Sequence, residues 1–79
     1  MEILSREERS HYLRLALEAL PETDAVVVTL FYFEELSLEE IAEITGLTSG
    51  NIRIKLHRSR KKMYRVLKEQ LKSEINSIL

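Results

Sequence analysis

The 79-residue sequence contains no cysteine and no tryptophan, and it has only one proline and two glycines. The absence of cysteine excludes a disulfide framework and a thiolate metal site, and it suits the cytoplasm. No apolar run approaches the roughly 20 residues that cross a bilayer. The first ten residues, MEILSREERS, lack the basic and apolar blocks of a signal peptide. We therefore expect a cytoplasmic chain without membrane insertion.

Patterns that carry catalysis are also lacking. The two histidines, His11 and His57, lie far apart in the sequence, and no Ser-His-Asp arrangement accompanies either of them. The chain offers no phosphate-cradling glycine loop and no pair of carboxylates suited to general acid-base work. We predict that the protein is not an enzyme, that it has no catalytic residues and that it uses neither a cofactor nor a metal.

The net charge of −1 conceals a strong asymmetry between the two parts of the chain. Residues 1–48 carry eleven acids against three arginines, whereas residues 49–79 carry nine lysines and arginines against two acids. The stretch 49–68 has eight cations and no acid. Like charges four residues apart repel one another on a helix, and bound phosphates would relieve that repulsion. The second part therefore predicts a surface for a polyanion.

Hydrophobic periodicity and helix-end signals predict four helices, at about 6–20, 22–34, 38–45 and 49–75, with residues 1–5 as a linker remnant or frayed end. Pro21 ends the first helix and begins the second. Residues 25–33, AVVVTLFYF, have the composition of a strand. No second strand is available to pair with them, so we expect a helix there as well. Residues 6–79 then form a single domain.

Residues 37–62 predict a helix-turn-helix. Ser37 and Glu40 form a capping box, Gly46 supplies a left-handed turn, and Thr48 caps the second helix. Ile52 and Leu56 face inward. The remaining faces of the second helix carry basic side chains, namely Arg53, Lys55, His57, Arg58 and Arg60. The fold class is thus an all-α, four-helix domain whose long C-terminal helix recognises nucleic acid.

The first two helices carry more apolar side chains than one neighbour needs. Tyr12 and Leu15 widen the stripe of the first helix, and Phe31 and Tyr32 add aromatic surface to the second. Two interpretations stay open, a helix buried on two sides and a groove for a partner protein. Surplus apolar surface of this kind often marks an interface, so these four residues are the candidate partner-binding set.

Several short motifs fall in the order and spacing of a known module. They are Leu20-Pro21, Leu36-Ser37, Glu40-Ile41-Ala42, Gly46-Leu47, Ser49-Gly50-Asn51-Ile52-Arg53, Leu56-His57-Arg58 and Arg60-Lys61-Lys62. With them the sequence resembles domain 4 of the extracytoplasmic-function group of bacterial sigma factors, over about residues 17–68. The resemblance implies sequence-specific binding to the −35 promoter element, docking on the β-subunit flap of RNA polymerase, and an anti-sigma factor as a further partner. It also implies a fragment of a longer factor.

The same resemblance assigns DNA-binding roles residue by residue. The implied set is Ser49, Gly50, Asn51, Arg53, Ile54, Lys55, His57, Arg58, Arg60 and Lys61. The sequence departs from the family pattern where Asn51 replaces a hydroxyl residue, Ile54 replaces a small polar one, and Glu35 replaces a glycine. These departures leave the fold intact, but they prevent the promoter sequence of any family member from being assigned to this chain.

Two other functions compete with the sigma-factor interpretation. The first is the helix-turn-helix output domain of a response-regulator-type transcription factor, which usually dimerises after a shorter recognition helix. The second is a module that binds only proteins, such as an adaptor. The Leu20-Pro21 lead-in and the unbroken basic stretch favour the sigma factor, and hence a role in promoter recognition and transcription initiation.

Overall fold

The computed structural model describes residues 4–78, with side chains described for residues 4–72. The elements are α1 (Arg6–Glu18), α2 (Glu22–Val28), a π-helical segment (Thr29–Phe33) that continues α2, α3 (Leu38–Thr45) and α4 (Ser49–Ile78). No strand occurs within residues 4–78, which confirms the all-α prediction. Most of the predicted linker remnant, residues 1–3, lies outside the described residues, as does residue 79.

The helices begin where local side-chain chemistry satisfies the first backbone N–H groups. At α1 the Ser5 hydroxyl accepts from the Glu8 N–H at 3.2 Å, and the Glu8 carboxylate accepts from the Ser5 N–H at 3.1 Å. At α3 the same reciprocal pair joins Ser37 and Glu40, at 3.1 and 2.9 Å. Both capping boxes hold the pKa of the glutamate below its ordinary value, because backbone N–H groups bond the ionised form.

The second helix widens in its C-terminal half, which the sequence did not predict. The N–H of Glu34 bonds the carbonyl of Thr29 at 3.0 Å, a step of five residues. The Thr29 hydroxyl bonds the carbonyl of Ala25 at 2.8 Å. A threonine that bonds back in this way competes for the carbonyl of the preceding turn and bends the helix. The aromatic residues of the segment are thereby placed along one flank of α4.

Two residues take left-handed backbone conformations at the ends of helices. Gly46 ends α3 with φ of 76°, and its N–H bonds the carbonyl of Ala42 at 2.8 Å. This confirms the predicted turn of the helix-turn-helix. Glu35 has φ of 57° between the π-helical segment and α3. A residue with a side chain is about 1–2 kcal/mol less stable in this conformation, so the position favours glycine.

The three shorter helices all pack against α4 and enclose one small core. That core consists of Leu20, Val27, Val28, Ile41, Ile52 and Leu56. A helix of 30 residues is about 45 Å long. It accounts for the largest dimension of the molecule, 47 Å against 20 and 19 Å. Within the described residues, no helix combines the length and apolar character needed to cross a membrane.

Candidate nucleic-acid interface

The side of α4 that faces away from the core is open to solvent. Ile52 and Ser59 are fully buried and Leu56 is nearly so. With 3.6 residues per turn, the opposite face carries Ile54, which is 61% exposed, and His57. Lys61 continues this face one turn further on and is also exposed. The helix therefore offers a ridge with one apolar side chain and mainly basic neighbours.

The N-terminus of α4 is held by Thr48, as predicted. The Thr48 hydroxyl accepts from the backbone N–H of Asn51 at 3.1 Å, and Asn51 is exposed. Ser49 is half-buried. A Cβ placed on Gly50 would meet Thr48 Oγ1 at 4.0 Å and nothing closer. The protein itself therefore has room for a side chain at position 50. A phosphate that binds close to the backbone there would explain why the residue is glycine.

A buried carboxylate binds two of the predicted DNA contacts. Asp24, in the first turn of α2, is 1% exposed. Arg58 donates from Nε to Oδ2 at 3.1 Å and from Nη2 to Oδ1 at 2.9 Å. Lys55 Nζ lies 3.4 Å from the same Oδ1. The Arg58 hydrogen bonds lower the pKa of Asp24 below its ordinary value, and Lys55 adds to this effect against the opposing influence of burial.

Arg60 also has a partner within the protein. Its Nε donates to the Tyr32 hydroxyl at 3.0 Å, and its Nη2 contacts the same oxygen. The guanidinium carbon lies 5.7 Å from the centre of the Tyr32 ring, at the hydroxyl end of the side chain. Arg60 is thus directed to the flank of α4 beside the π-helical segment.

Apart from the half-buried Ser49, the predicted DNA-binding residues divide into two groups. Those whose exposed side chains have no hydrogen bond to another described residue are Asn51, Arg53, Ile54, His57 and Lys61, and Gly50 lies exposed beside them. Lys55, Arg58 and Arg60 contact protein partners instead. Of these, the Arg58 side chain is still 58% exposed, whereas that of Lys55 is 21% exposed. Lys55 thus contacts Asp24 in this structure, and its predicted contact with DNA stays a prediction.

The predicted partner-binding residues are also placed unequally. Tyr12 is 8% exposed, so its ring belongs to the packing of α1 and offers little surface to a partner. Leu15 is half-buried. Phe31 packs against the core and meets the Tyr32 ring edge-on at 5.0 Å. Tyr32 is 45% exposed and remains a surface residue.

An apolar groove of about 520 Å³ lies beside Tyr32, between α1, the π-helical segment and α4. Its exposed walls include Phe33 and Tyr64, at 49% and 67% exposure. Neither was in the predicted partner set. Tyr64 lies between Met63 and Arg65, within the basic stretch 49–68. An aromatic residue on a face of the helix not directed into the core was the signal that could have identified it.

Asp24 was missed as a site residue because acids in the first turn of a helix are common. The sequence nevertheless contained a signal. Asp24, Val27, Val28 and Phe31 recur at the spacing of one helical face, and the other three are apolar. A carboxylate on an apolar face predicts burial, and a buried carboxylate requires a cation.

The sequence is similar to those of RNA polymerase sigma factors. RNA polymerase sigma factor SigV of Bacillus subtilis (strain 168) is 40% identical over 67 residues, which are 80% of this chain and 40% of the relative. RNA polymerase sigma factor YlaC of the same strain is 44% identical over 57 residues, covering 72% of this chain and 33% of the relative. No solved structure matches.

A third relative from that strain, ECF RNA polymerase sigma factor SigW, is 32% identical over 62 residues, which are 78% of this chain and 33% of the relative. The chain thus spans well under half the length of each of these curated relatives. The family described as sigma-70, region 4, matches residues 10–63. Since this match covers more than half of the sequence and confirms the resemblance found there, the chain belongs to the sigma-70 region 4 family.

Proposed function

We propose that this chain binds the −35 element of promoter DNA as part of an RNA polymerase sigma factor and so directs transcription initiation in the cytoplasm. The single observation that carries the proposal is the solvent-facing ridge of α4, where Ile54 and His57 stand opposite the buried Ile52 and Leu56 and the exposed Arg53 lies on one flank. A recognition helix whose other face packs against three shorter helices has a geometry that can enter a major groove. The names of the three relatives support this function over the response-regulator alternative.

The ridge contains chemistry suited to reading bases. Arg53 can bond the acceptors of guanine in a bidentate manner, and Asn51 can bond an adenine edge in the same way. Ile54 can contact the methyl group of thymine. Lys61 lies further along the helix and, as a point charge, suits a backbone phosphate. These roles give two separable classes of contact on one helix.

Arg53→Ala is expected to weaken binding to the preferred duplex by about 1–3 kcal/mol and to relax preference at one base pair. The preferred duplex is first selected from a random library, and a mixed-sequence duplex of equal length serves as reference. Affinities are measured by fluorescence anisotropy at several salt concentrations. Because one cation is lost in any case, the informative quantity is the ratio between the two duplexes.

Lys61→Ala is the matched control, since it removes an exposed cation from the same helix. It should weaken both duplexes alike and reduce the slope of log affinity against log salt by about 1. If Arg53→Ala behaves in the same way as Lys61→Ala, Arg53 is a phosphate contact and not a reader of bases. If the wild-type chain prefers no sequence, the −35 proposal itself is wrong.

The second part of the proposal places RNA polymerase on the apolar groove, with the β-subunit flap as the contacting element. Tyr32, Phe33 and Tyr64 expose large aromatic surfaces there, and Met63 and Leu67 complete the apolar wall. Grooves of this type accept an amphipathic helix through a few apolar anchors. An anti-sigma factor would compete for the same groove.

Phe33→Asp is expected to lower affinity for core RNA polymerase about tenfold or more, since a charge in the groove would be desolvated on binding. Val26→Asp is the matched control, because Val26 is 45% exposed and does not line the groove. Phe31 is unsuitable for this test because it packs on the core. Binding is measured by surface plasmon resonance after circular dichroism has shown both variants to be folded. Equal losses in the two variants would remove the groove as the docking site.

A further inference from the structure

The Asp24–Arg58 contact has the form of a support for an exposed arginine. The carboxylate accepts two parallel hydrogen bonds, from Nε and Nη2 of Arg58, and is itself almost fully buried. An arginine has five N–H donors, so three remain on the guanidinium. With 58% of the side chain exposed, these donors have access to solvent beside the DNA-facing ridge. The guanidinium is fixed on one side and open on the other.

Lys55 is placed differently by the same carboxylate. Its Nζ lies 3.4 Å from Asp24 Oδ1, and its side chain is 21% exposed. It is one turn before Arg58 on α4, on the side that leans toward α2. Its charge is therefore directed toward the protein. The carboxylate neutralises one of the two cations and thus lowers the local charge from +2 to +1.

We propose that Asp24 is a positioning residue for DNA recognition: its carboxylate fixes the Arg58 guanidinium at the edge of the ridge, where the remaining donors bind one backbone phosphate, and keeps Lys55 away from the duplex. This inference rests on the proposed function. A fixed phosphate contact determines the register of the helix in the groove, although it reads no base itself. Lys55 on a flexible stem would add affinity for any sequence without adding register.

The arrangement also lowers the entropy that Arg58 loses on binding. An unsupported arginine is ordered when it meets the phosphate, whereas this one is already ordered by folding. Preorganised contacts favour the one register that fits them. Asp24 therefore increases the preference for the correct site while reducing the charge available for other sites.

The test is Asp24→Asn, which keeps the shape of the side chain and removes its charge. With a mixed-sequence duplex, affinity is expected to rise and the salt slope to steepen by about 1, since Lys55 becomes available to a phosphate in addition to Arg58. The ratio of affinities between the selected and mixed duplexes is expected to fall about fivefold or more. A purely structural role would change neither the slope nor the ratio at a temperature where the variant is folded.

A second variant and an NMR signal separate positioning from general electrostatics. Arg58→Lys keeps the charge but loses the two parallel N–H donors of the guanidinium. Alone it should lower the ratio of affinities between the selected and mixed duplexes, and in the Asp24→Asn background it should have little further effect. The Arg58 Nε–H resonance should resist solvent exchange both in the unbound protein and in the complex with the selected duplex. Loss of that protection when DNA binds would show that Arg58 leaves Asp24, and would overturn the inference.

The outcomes distinguish this inference from the proposal on which it rests. If the wild-type chain binds no duplex in a salt-dependent way, the proposed function fails and the role of Asp24 fails with it. If the wild-type chain binds and prefers its selected duplex but Asp24→Asn changes neither slope nor ratio, the role of Asp24 alone is wrong. Full additivity between Asp24→Asn and Arg58→Lys would also contradict it.

Discussion

Ile52→Ala is expected to lower the free energy of unfolding by about 2–5 kcal/mol, whereas Ile54→Ala on the same helix is expected to change it by about 0.5 kcal/mol or less. Ile52 is fully buried in the core formed with Ile41 and Val27, while Ile54 is 61% exposed. The free energy of unfolding of a domain of 79 residues is about 4–12 kcal/mol in total. The first variant should therefore be partly unfolded at physiological temperature. Urea unfolding followed by circular dichroism measures both values.

The pair of isoleucines also tests the orientation of α4. The two substitutions delete the same atoms, so helix propensity and side-chain entropy nearly cancel in the comparison. Ile54→Ala should leave stability intact and alter DNA binding. Ile52→Ala should lower stability, and the fraction that remains folded should bind DNA as the wild type does. Similar losses of stability in both variants would mean that α4 is rotated relative to the core described above.

The features that were predictable from sequence are those determined within a few residues. The boxes Ser5–Glu8 and Ser37–Glu40, the left-handed Gly46 and the Thr48 cap are all present. In each cap a hydroxyl or carboxylate bonds a backbone N–H three residues away. At Gly46 the absence of a Cβ permits the left-handed turn in which its N–H bonds the carbonyl four residues back. Such interactions depend little on tertiary packing, so the sequence alone specifies them.

The π-helical segment illustrates what local reasoning could not supply. The composition of residues 25–33 favours a strand, and the lack of a partner strand correctly indicated a helix. Whether the N–H of Glu34 bonds four or five residues back depends on Thr29 and on how the aromatic rings pack beside α4. In the structure α1 ends at Glu18 and α4 at Ile78, whereas the sequence pattern suggested ends at about residues 20 and 75.

The basic surface was predicted as a pattern of charge, and its internal pairing was not. The ion pairs of Asp24 with Lys55 and Arg58 join residues 31 and 34 positions apart. Only the packing of α2 against α4 brings them together. Arg60 shows the same limit, since its contact with Tyr32 spans 28 positions. Residue type thus located the interface, whereas tertiary structure determined which cations remain available to DNA.

Arg58→Ala is expected to lower the free energy of unfolding, because it leaves the Asp24 carboxylate buried with Lys55 at 3.4 Å as its remaining partner. Lys61→Ala, which removes an exposed cation from the same helix, should change stability by about 0.5 kcal/mol or less. Asp24→Asn should be milder than Arg58→Ala, since Arg58 is exposed and can be hydrated. Urea unfolding at pH 7 gives all three values.

The pH dependence of the stability that Asp24→Asn loses identifies the cause of that loss. Because the pKa of Asp24 is lowered in the folded protein, the stabilisation from its ionised form is fully present above the ordinary carboxyl pKa of about 4 and is lost as the pH falls through the folded value. The difference in stability between wild type and Asp24→Asn should therefore shrink in acid. A constant difference from pH 7 to pH 2 would assign the loss to packing rather than to charge. Weaker DNA binding by Arg58→Ala would reflect both lost stability and a lost phosphate contact. The conservative Arg58→Lys is therefore the variant that reports on binding.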